Sequence, residues 1–106
     1  MPTLLDFPRA VLDRREWRAA LIALTEGLGG DARVWARVHP GARADLADLA
    51  DETRAPGERL LLRLAHALIN DTRVALPVGD LVDADDDSLR TALDVIAIMR
   101  RRPIPD

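Results

Sequence analysis

The chain has 106 residues, a formal net charge of −3, and 48% apolar against 31% charged residues, which is the balance of a folded globular protein. It contains no Cys, which excludes disulfides and zinc–thiolate sites. All fifteen basic residues are Arg, and the negative net charge gives no general attraction to nucleic acid or acidic membranes. No apolar run approaches the roughly 18 residues of a membrane span and no signal-peptide pattern is present, so we expect a cytoplasmic protein.

The first long helix is predicted after a loosely ordered lead-in over residues 1–12. Within the lead-in, Pro8 suits the first position of a helical turn, and apolar residues such as Val11 and Leu12 are placed to pack that turn against the core. Asp13 and Glu16 have the spacing of a capping box, which predicts that the helix begins there and runs to about Leu28. Apolar residues recur at the spacing of one helix face, and they are Trp17, Leu21, Leu24 and Leu28. Gly29 and the glycine after it then end the helix.

Two shorter helices are predicted next. Asp31 is placed to cap a helix that carries Val34, Trp35 and Val38, and the residue before Pro40 ends that helix because proline disfavours the α conformation there. A further helix is predicted over 42–52, with Leu46, Leu49 and Ala50 facing inward. Residues 53–57 form the linker that follows.

The central feature of the sequence is a strongly apolar helix at about 57–70. Apolar residues occupy most of its circumference, so it must be covered on several sides and is expected to be the centre of the core. Its polar residues fall on one narrow line, and they are Arg59, Arg63, His66 and Asn70. We expect this line to be the strip that faces water.

The C-terminal part is predicted to hold a turn, a short helix over 77–82, the acidic run 83–87, and a last helix from about Ser88 to Arg101. The apolar stripe of that helix is expected to be Leu89, Ala92, Leu93, Ile96 and Met99. Prolines then leave 102–106 as a loosely ordered tail. The predicted fold is one all-α domain over 1–106, a compact bundle of five to six short helices around the central helix.

Residues suited to catalysis are few, because the chain has no Cys, Lys or Tyr and a single Ser. Ser88 precedes a helical apolar run, where a hydroxyl usually caps the helix. His39 lies in a turn, and His66 lies between arginines on the central helix, where a structural role is favoured. We predict no catalytic residue, no cofactor and a protein that is not an enzyme.

The acidic run partly matches a calcium-binding loop. Asp83, Asp85, Asp87 and Asp94 fall at positions 1, 3, 5 and 12 of a helix–loop–helix site. Position 6 is Ser88 instead of Gly, and position 12 is Asp instead of Glu. Acidic residues also collect at helix N-termini, where the helix dipole is positive, and that alternative is favoured. Metal binding is not predicted, and whether these carboxylates hold a cation stays open.

The segment 57–101 has the order helix, short helix, longer helix, which is compatible with a DNA-binding helix-turn-helix. In that alternative the residues placed to contact DNA are Arg90, Thr91 and Arg101. The acidic run lies at the end of the last helix that would approach the bases, so nucleic-acid binding is not favoured.

Apolar residues outside the predicted stripes favour a contact between proteins. The first, central and last helices carry more apolar surface than one small core requires, and a symmetric dimer would cover the excess. The residues expected in such a contact are Ile22, Val95, Ile98, Arg101 and Arg102. The leading hypothesis is therefore a non-enzymatic interaction or regulatory protein that acts through helix faces. Its expected partner is a second copy of itself or another protein, and no membrane contact is expected.

Overall fold

A computed structural model describes residues 6–40, 42–52, 55–70 and 78–100, and within these ranges seven helices and one two-stranded hairpin form. The helices are α1 (Arg9–Leu12), α2 (Arg15–Leu28), α3 (Ala32–Trp35), α4 (Ala47–Asp51), α5 (Pro56–Asn70), α6 (Val78–Asp83) and α7 (Asp86–Arg100). The antiparallel hairpin strands are β1 (Val38–His39) and β2 (Arg43–Ala44). The predicted all-α bundle around a central helix is confirmed.

The central helix is α5, which contacts α2, α4, α6, α7 and β2. Three consecutive leucines, Leu60 to Leu62, are completely buried, because neighbours cover α5 on several sides. The largest opposing surface is α2, where the predicted stripe of Trp17, Leu21, Leu24 and Leu28 is buried. Each fully buried Leu contributes about 1.5–3 kcal/mol relative to an exposed one. The α2–α5 pair is therefore the foundation of the core.

The N-terminal segment agrees with the prediction in one respect and differs in another. The helical turn expected after Pro8 forms as α1, and the side chain of Val11 is 7% exposed. The capping box is wrong, because Asp13 ends α1 with its backbone N–H donating to the carbonyl of Arg9 at 2.9 Å. Arg14 takes the cap position of α2 without a side-chain hydrogen bond, and its guanidinium pairs with Glu16 at 3.0 Å.

The middle of the chain is less helical than predicted. Asp31 caps α3 as expected, since its carboxylate accepts a hydrogen bond from the backbone N–H of Arg33 at 3.0 Å. However, α3 has four residues, and Val38 pairs with Ala44 across the hairpin. Proline at position 40 favours an extended residue before it, so the chain turns back as a hairpin and α4 begins only at Ala47.

The polar line of α5 does more than face water. The Nδ1 atom of His66 accepts a hydrogen bond from the backbone N–H of Leu46 at 3.2 Å. The side-chain amide of Asn70 donates to the carbonyl of Ala44 at 2.6 Å and accepts from the N–H of that residue at 3.4 Å. These bonds fix β2 and the chain that enters α4 to the central helix, so the expectation of a strip left to solvent was wrong.

The other half of the polar line fixes α6 and α4. Two guanidinium nitrogens of Arg59 donate to one carboxylate oxygen of Asp80, at 2.9 and 3.1 Å. Arg63 donates to Asp51 of α4 at 2.9 Å. Asp80 is 7% exposed and is the one buried charged residue in the described ranges. A buried carboxylate needs such partners, and the pair therefore sets the position of α6.

The last helix presents part of its predicted stripe to the core, since Ile96 and Met99 pack there, but Leu93 does not. Ala92 and Val95 are buried, whereas Leu93, which was assigned to the buried stripe, is 57% exposed. Since α7 contacts both α2 and α5, its inner side faces the junction between them. Ile98 and Met99 pack against the same core. The expectation that Val95 belongs to an outward contact surface was therefore wrong.

Replacing Asp80 by Ala is expected to lower the free energy of unfolding by about 2 kcal/mol, because the partly buried ion pair between Arg59 and Asp80 would be lost. Urea unfolding measures the change. Asp83→Ala is the matched control, since that carboxylate is exposed at the end of the same helix. Equal effects of the two substitutions would contradict the role given to the Arg59–Asp80 pair.

Two glycine substitutions are expected to have opposite effects. Gly57 is buried in the first turn of α5, and a Cβ atom added there would lie 2.7 Å from the Cβ of Ser88 in α7. Gly57→Ala is expected to cost about 1–3 kcal/mol of stability because α7 must move away. Gly79 in α6 has no atom within 4 Å of an added Cβ, so Gly79→Ala is expected to stabilise by about 0.5 kcal/mol. Thermal unfolding followed by circular dichroism compares them, and a shift of the same sign would contradict the close α5–α7 approach.

Candidate functional site

A groove of about 550 Å³ runs between the C-terminal half of α2 and the N-terminal half of α7. Its α2 side is formed by Ile22, Glu26 and Gly27, and its α7 side by Asp85, Asp87, Ser88, Arg90, Thr91 and Asp94. Gly27 matters for its shape, because an added Cβ there would collide with the buried side chain of Leu61. The close approach of α2 to α5 thus fixes one wall of the groove.

The charge of this groove is mainly negative. Four carboxylates line it, from Glu26, Asp85, Asp87 and Asp94, together with one guanidinium, that of Arg90. Two of the three residues that the DNA-binding alternative names lie in the described ranges: Arg90, which is exposed, and Thr91, which is half-buried in the groove wall. The third, Arg101, lies outside them. A phosphate brought to Arg90 would therefore also meet several like charges, at a cost in affinity.

Asp85 caps α7, whereas the sequence predicted Ser88 in that role. The carboxylate of Asp85 accepts a hydrogen bond from the backbone N–H of Ser88 at 3.1 Å. Hydrogen bonds from the hydroxyl and then from the amide of Ser88 hold the pKa of Asp85 below its ordinary value. The Ser88 hydroxyl is thus engaged at the helix terminus, which gives this residue a structural role.

The calcium-loop hypothesis does not agree with the observed geometry. The helix α7 begins at Asp86, so Asp87 and Asp94 lie on a regular helix instead of curling around a cation. In the ranges that the structure describes, no group of three or more His or acidic side chains is arranged to hold a metal ion. The acidic run instead places negative charge at the positive end of the α7 dipole.

The two histidines do not come together. His66 uses Nδ1 as an acceptor for Leu46 and lies 3.1 Å from the side-chain nitrogen of Asn70, so it belongs to the anchoring line of α5. His39 is exposed on β1. Neither histidine lines the groove between α2 and α7.

The residues expected in a protein contact do not form one surface. Ile22 is half-buried in the groove wall, and Ile98 is half-buried against the core. Val95 is fully buried and is not accessible to a partner. Arg101 and Arg102 lie outside the described residues.

A different exposed surface is present on α7, and we call it the outer strip. It consists of five exposed residues at helical spacing, which are Asp86, Arg90, Leu93, Ala97 and Arg100. Arg90 lies at the edge of the strip and also lines the groove. Leu89 and Ile96 border it and are half-buried. None of the ion pairs or hydrogen-bonded side chains found in the described ranges includes the charged residues of the strip. Leu93 was predicted to be buried because apolar residues occupy more than half of the α7 circumference, so the pattern does not single out the buried side.

A second exposed apolar pair lies on α6. Val78 is 71% exposed and Val82 is 75% exposed, and their spacing of four residues places them on one face of the helix. The carboxylates of Asp80 and Asp83 lie on the same short helix, the first turned inward to Arg59 and the second exposed. This pair provides a useful comparison for Leu93, because it is equally apolar but lies on another helix.

Comparison with known proteins adds no family: no family model, curated protein or solved structure matches the chain. Among the described residues, none of the helices combines the length and apolar character that crossing a membrane requires.

The Asp85 cap predicts a pH dependence of α7. Folding lowers the pKa of Asp85 below its ordinary value of 3.8, so the ionised cap stabilises the helix at neutral pH. This contribution is lost as the pH falls below 3.8 and through the lower pKa of the folded state. Asp85→Ala is therefore expected to be less stable than the parent chain at neutral pH, with the difference narrowing in acid. Amide hydrogen exchange of the first turn of α7 measures it, and Asp94→Ala serves as the control at an exposed carboxylate of α7 outside that turn. A constant difference across the pH range would contradict the cap.

Proposed function

We propose that this protein is a small, non-enzymatic interaction protein that works by helix-face contact, that its contact surface is the outer strip of α7, and that it self-associates. The observation that carries the proposal is Leu93. This large apolar side chain is 57% exposed at the middle of a fifteen-residue helix. A single exposed aliphatic residue is ordinary, but Leu89 and Ile96 extend the apolar surface by one turn in each direction.

The composition of the outer strip supports a protein partner. Its centre is apolar, with Leu93 and the small Ala97, and its ends are charged. Protein interfaces commonly have this arrangement, an apolar centre surrounded by a polar rim. Helix-in-groove and helix–helix recognition both use anchors at spacings of three, four and seven residues, and the strip has that spacing.

Three observations favour the strip over the groove as the contact surface. The groove is acidic and its apolar wall is limited to Ile22, which is half-buried. The strip, in contrast, has exposed residues from the first to the last residue of α7. The charged residues at its two ends have opposite signs, which gives a partner two distinct points of orientation.

A structural role for the groups that resemble catalytic residues supports the non-enzymatic proposal. His66 anchors Leu46, and the hydroxyl of Ser88 donates to the Asp85 cap. We also propose a cytoplasmic location, for which the Cys-free composition is the supporting feature.

DNA binding is the second candidate, favoured by the helix order of α5, α6 and α7 and by the two residues that separate α6 from α7. The carboxylates that line the groove together with Arg90 disfavour DNA binding, because they would repel phosphate groups. A gel shift at low salt distinguishes the candidates, since the DNA-binding alternative requires a salt-sensitive complex that weakens in Arg90→Ala.

Leu93→Asp is expected to weaken self-association by about tenfold or more, because it removes the apolar centre of the contact and adds a charge there. Sedimentation equilibrium over a concentration series measures the dissociation constant. Circular dichroism should show an unchanged helix content, since Leu93 points away from the core.

Val82→Asp is the matched control for this experiment. It makes the same kind of change at an exposed apolar residue on α6 and is expected to leave self-association unchanged. If Val82→Asp prevents association while Leu93→Asp does not, the contact surface lies on α6 and the proposal for α7 is wrong.

A further inference from the structure

We infer that the partner of the outer strip is a second copy of this chain, paired antiparallel along α7 with the two-fold axis at Leu93. This inference rests on the proposed function and adds the identity and orientation of the partner. It follows from the charges at the two ends of the strip, which have opposite signs and lie at equal distances from Leu93.

The two terminal charges of the strip lie at equal distances from Leu93. Asp86 is the first residue of α7, Arg100 is the last, and Leu93 lies seven residues from each. A separation of seven residues returns to the same side of a helix within about 20°. The three side chains therefore share one side of α7, with the acidic and basic ends about 21 Å apart at a rise of 1.5 Å per residue.

An antiparallel pair brings opposite charges together at both ends. With Leu93 against its symmetry mate, Asp86 of one copy lies opposite Arg100 of the other, and the two-fold axis repeats this contact. A parallel pair would place Asp86 against Asp86 and Arg100 against Arg100. The charges therefore select the antiparallel orientation, as charge pairs do in other helix–helix contacts.

The residues between the centre and the ends also fit this arrangement. In the antiparallel register, Arg90 of one copy falls beside Ile96 and Ala97 of the other. Ala97 is small and exposed, so it leaves room for the aliphatic part of the Arg90 side chain, which packs well on apolar surface. The half-buried Leu89 lies opposite Ala97 of the other copy and extends the apolar centre.

The charges at the two ends of α7 also have a simpler explanation, so their presence alone does not indicate a partner. Acidic residues at the start and basic residues at the end of a helix compensate its dipole whether or not a partner binds. That explanation does not require an exposed leucine midway between them. It also does not require the charges to be aligned with that leucine on one side of the helix.

A contact of one helix pair is small, and its affinity should be modest. Interfaces at the lower end of the size range are typically weak and transient. We therefore expect a dissociation constant on the order of 10 μM or weaker. Because the end contacts are exposed ion pairs, self-association should weaken as salt is added.

Charge reversal tests the orientation. Asp86→Arg alone and Arg100→Asp alone are each expected to weaken self-association by about fivefold or more, because each places like charges together at both ends of the pair. The double variant that carries both substitutions is expected to restore association. Sedimentation equilibrium on the full chain compares the four proteins at low salt.

Asp87→Arg is the matched control. It makes the same charge change in the same helical turn, but Asp87 lines the groove with α2 instead of the outer strip. Self-association is expected to be unchanged in this variant. A loss of association equal to that of Asp86→Arg would mean that net charge, not position on the strip, controls the contact, and would overturn the inference.

Cross-linking gives an independent test, since the chain contains no Cys. An Arg90→Cys chain mixed with an Ala97→Cys chain is expected to form a disulfide between the two, because these positions are neighbours in the antiparallel pair. Each variant by itself should cross-link poorly, since its two copies place the thiols several ångströms apart along the helix axis. Efficient cross-linking within each variant would show a parallel pair and overturn the inference.

The outcomes separate this inference from the proposed function. If the chain stays monomeric at all concentrations while a purified partner protein binds in a way that Leu93→Asp abolishes, the proposed function stands and the second-copy inference is wrong. If Leu93→Asp leaves a stable dimer unchanged, both are wrong. Restoration by the double charge reversal together with mixed-only cross-linking supports both.

Discussion

The polar line of α5 is the constraint on which the rest of the architecture depends. An apolar helix at the centre of a small bundle has to be covered, but hydrophobic contact alone does not determine which segment covers which side. Arg59 binds the buried carboxylate of Asp80, while His66 and Asn70 bind backbone groups of Leu46 and Ala44. Directional bonds thus assign α6 to one end of the line and the hairpin to the other. Because buried polar groups are costly without partners, these contacts specify one arrangement among several of similar apolar burial.

The position of α7 follows from the same core and creates the proposed contact surface. Small residues let helices approach closely at two points: Gly27 of α2 faces Leu61, and Gly57 of α5 faces the start of α7. The inner side of α7 is then filled by Ala92 and Val95. Leu93 follows Ala92 in sequence and therefore lies on another side of this helix, where it is 57% exposed. The exposed Leu93 is therefore a direct consequence of how α7 docks.

Much of the fold was accessible from local pattern, whereas the candidate site was not. The long helices, the Asp31 cap and the α2 stripe all depend on residues close in sequence, and those predictions are confirmed. The capping box at Asp13 failed because α1 uses that residue to end its own turn. The hairpin was missed because two residues per strand leave no alternating pattern to recognise. Leu93 was predicted to be buried and Val95 to lie in an exposed contact surface, whereas the structure has the reverse. Apolar residues occupy so much of the α7 circumference that the pattern allows more than one side to be the buried one.

The sequence by itself determined the helical class, the central position of α5, and the charges at each end of α7. These properties follow from residue periodicity, from apolar coverage of one segment and from composition, and they need no information about neighbours. Only the tertiary structure decided which side of α7 is covered and what the polar line of α5 binds. Both depend on segments far apart in the chain, since Arg59 meets Asp80 and His66 meets the backbone of Leu46. A helix pattern records that a side is apolar or polar, but the neighbour that the side meets is determined by packing.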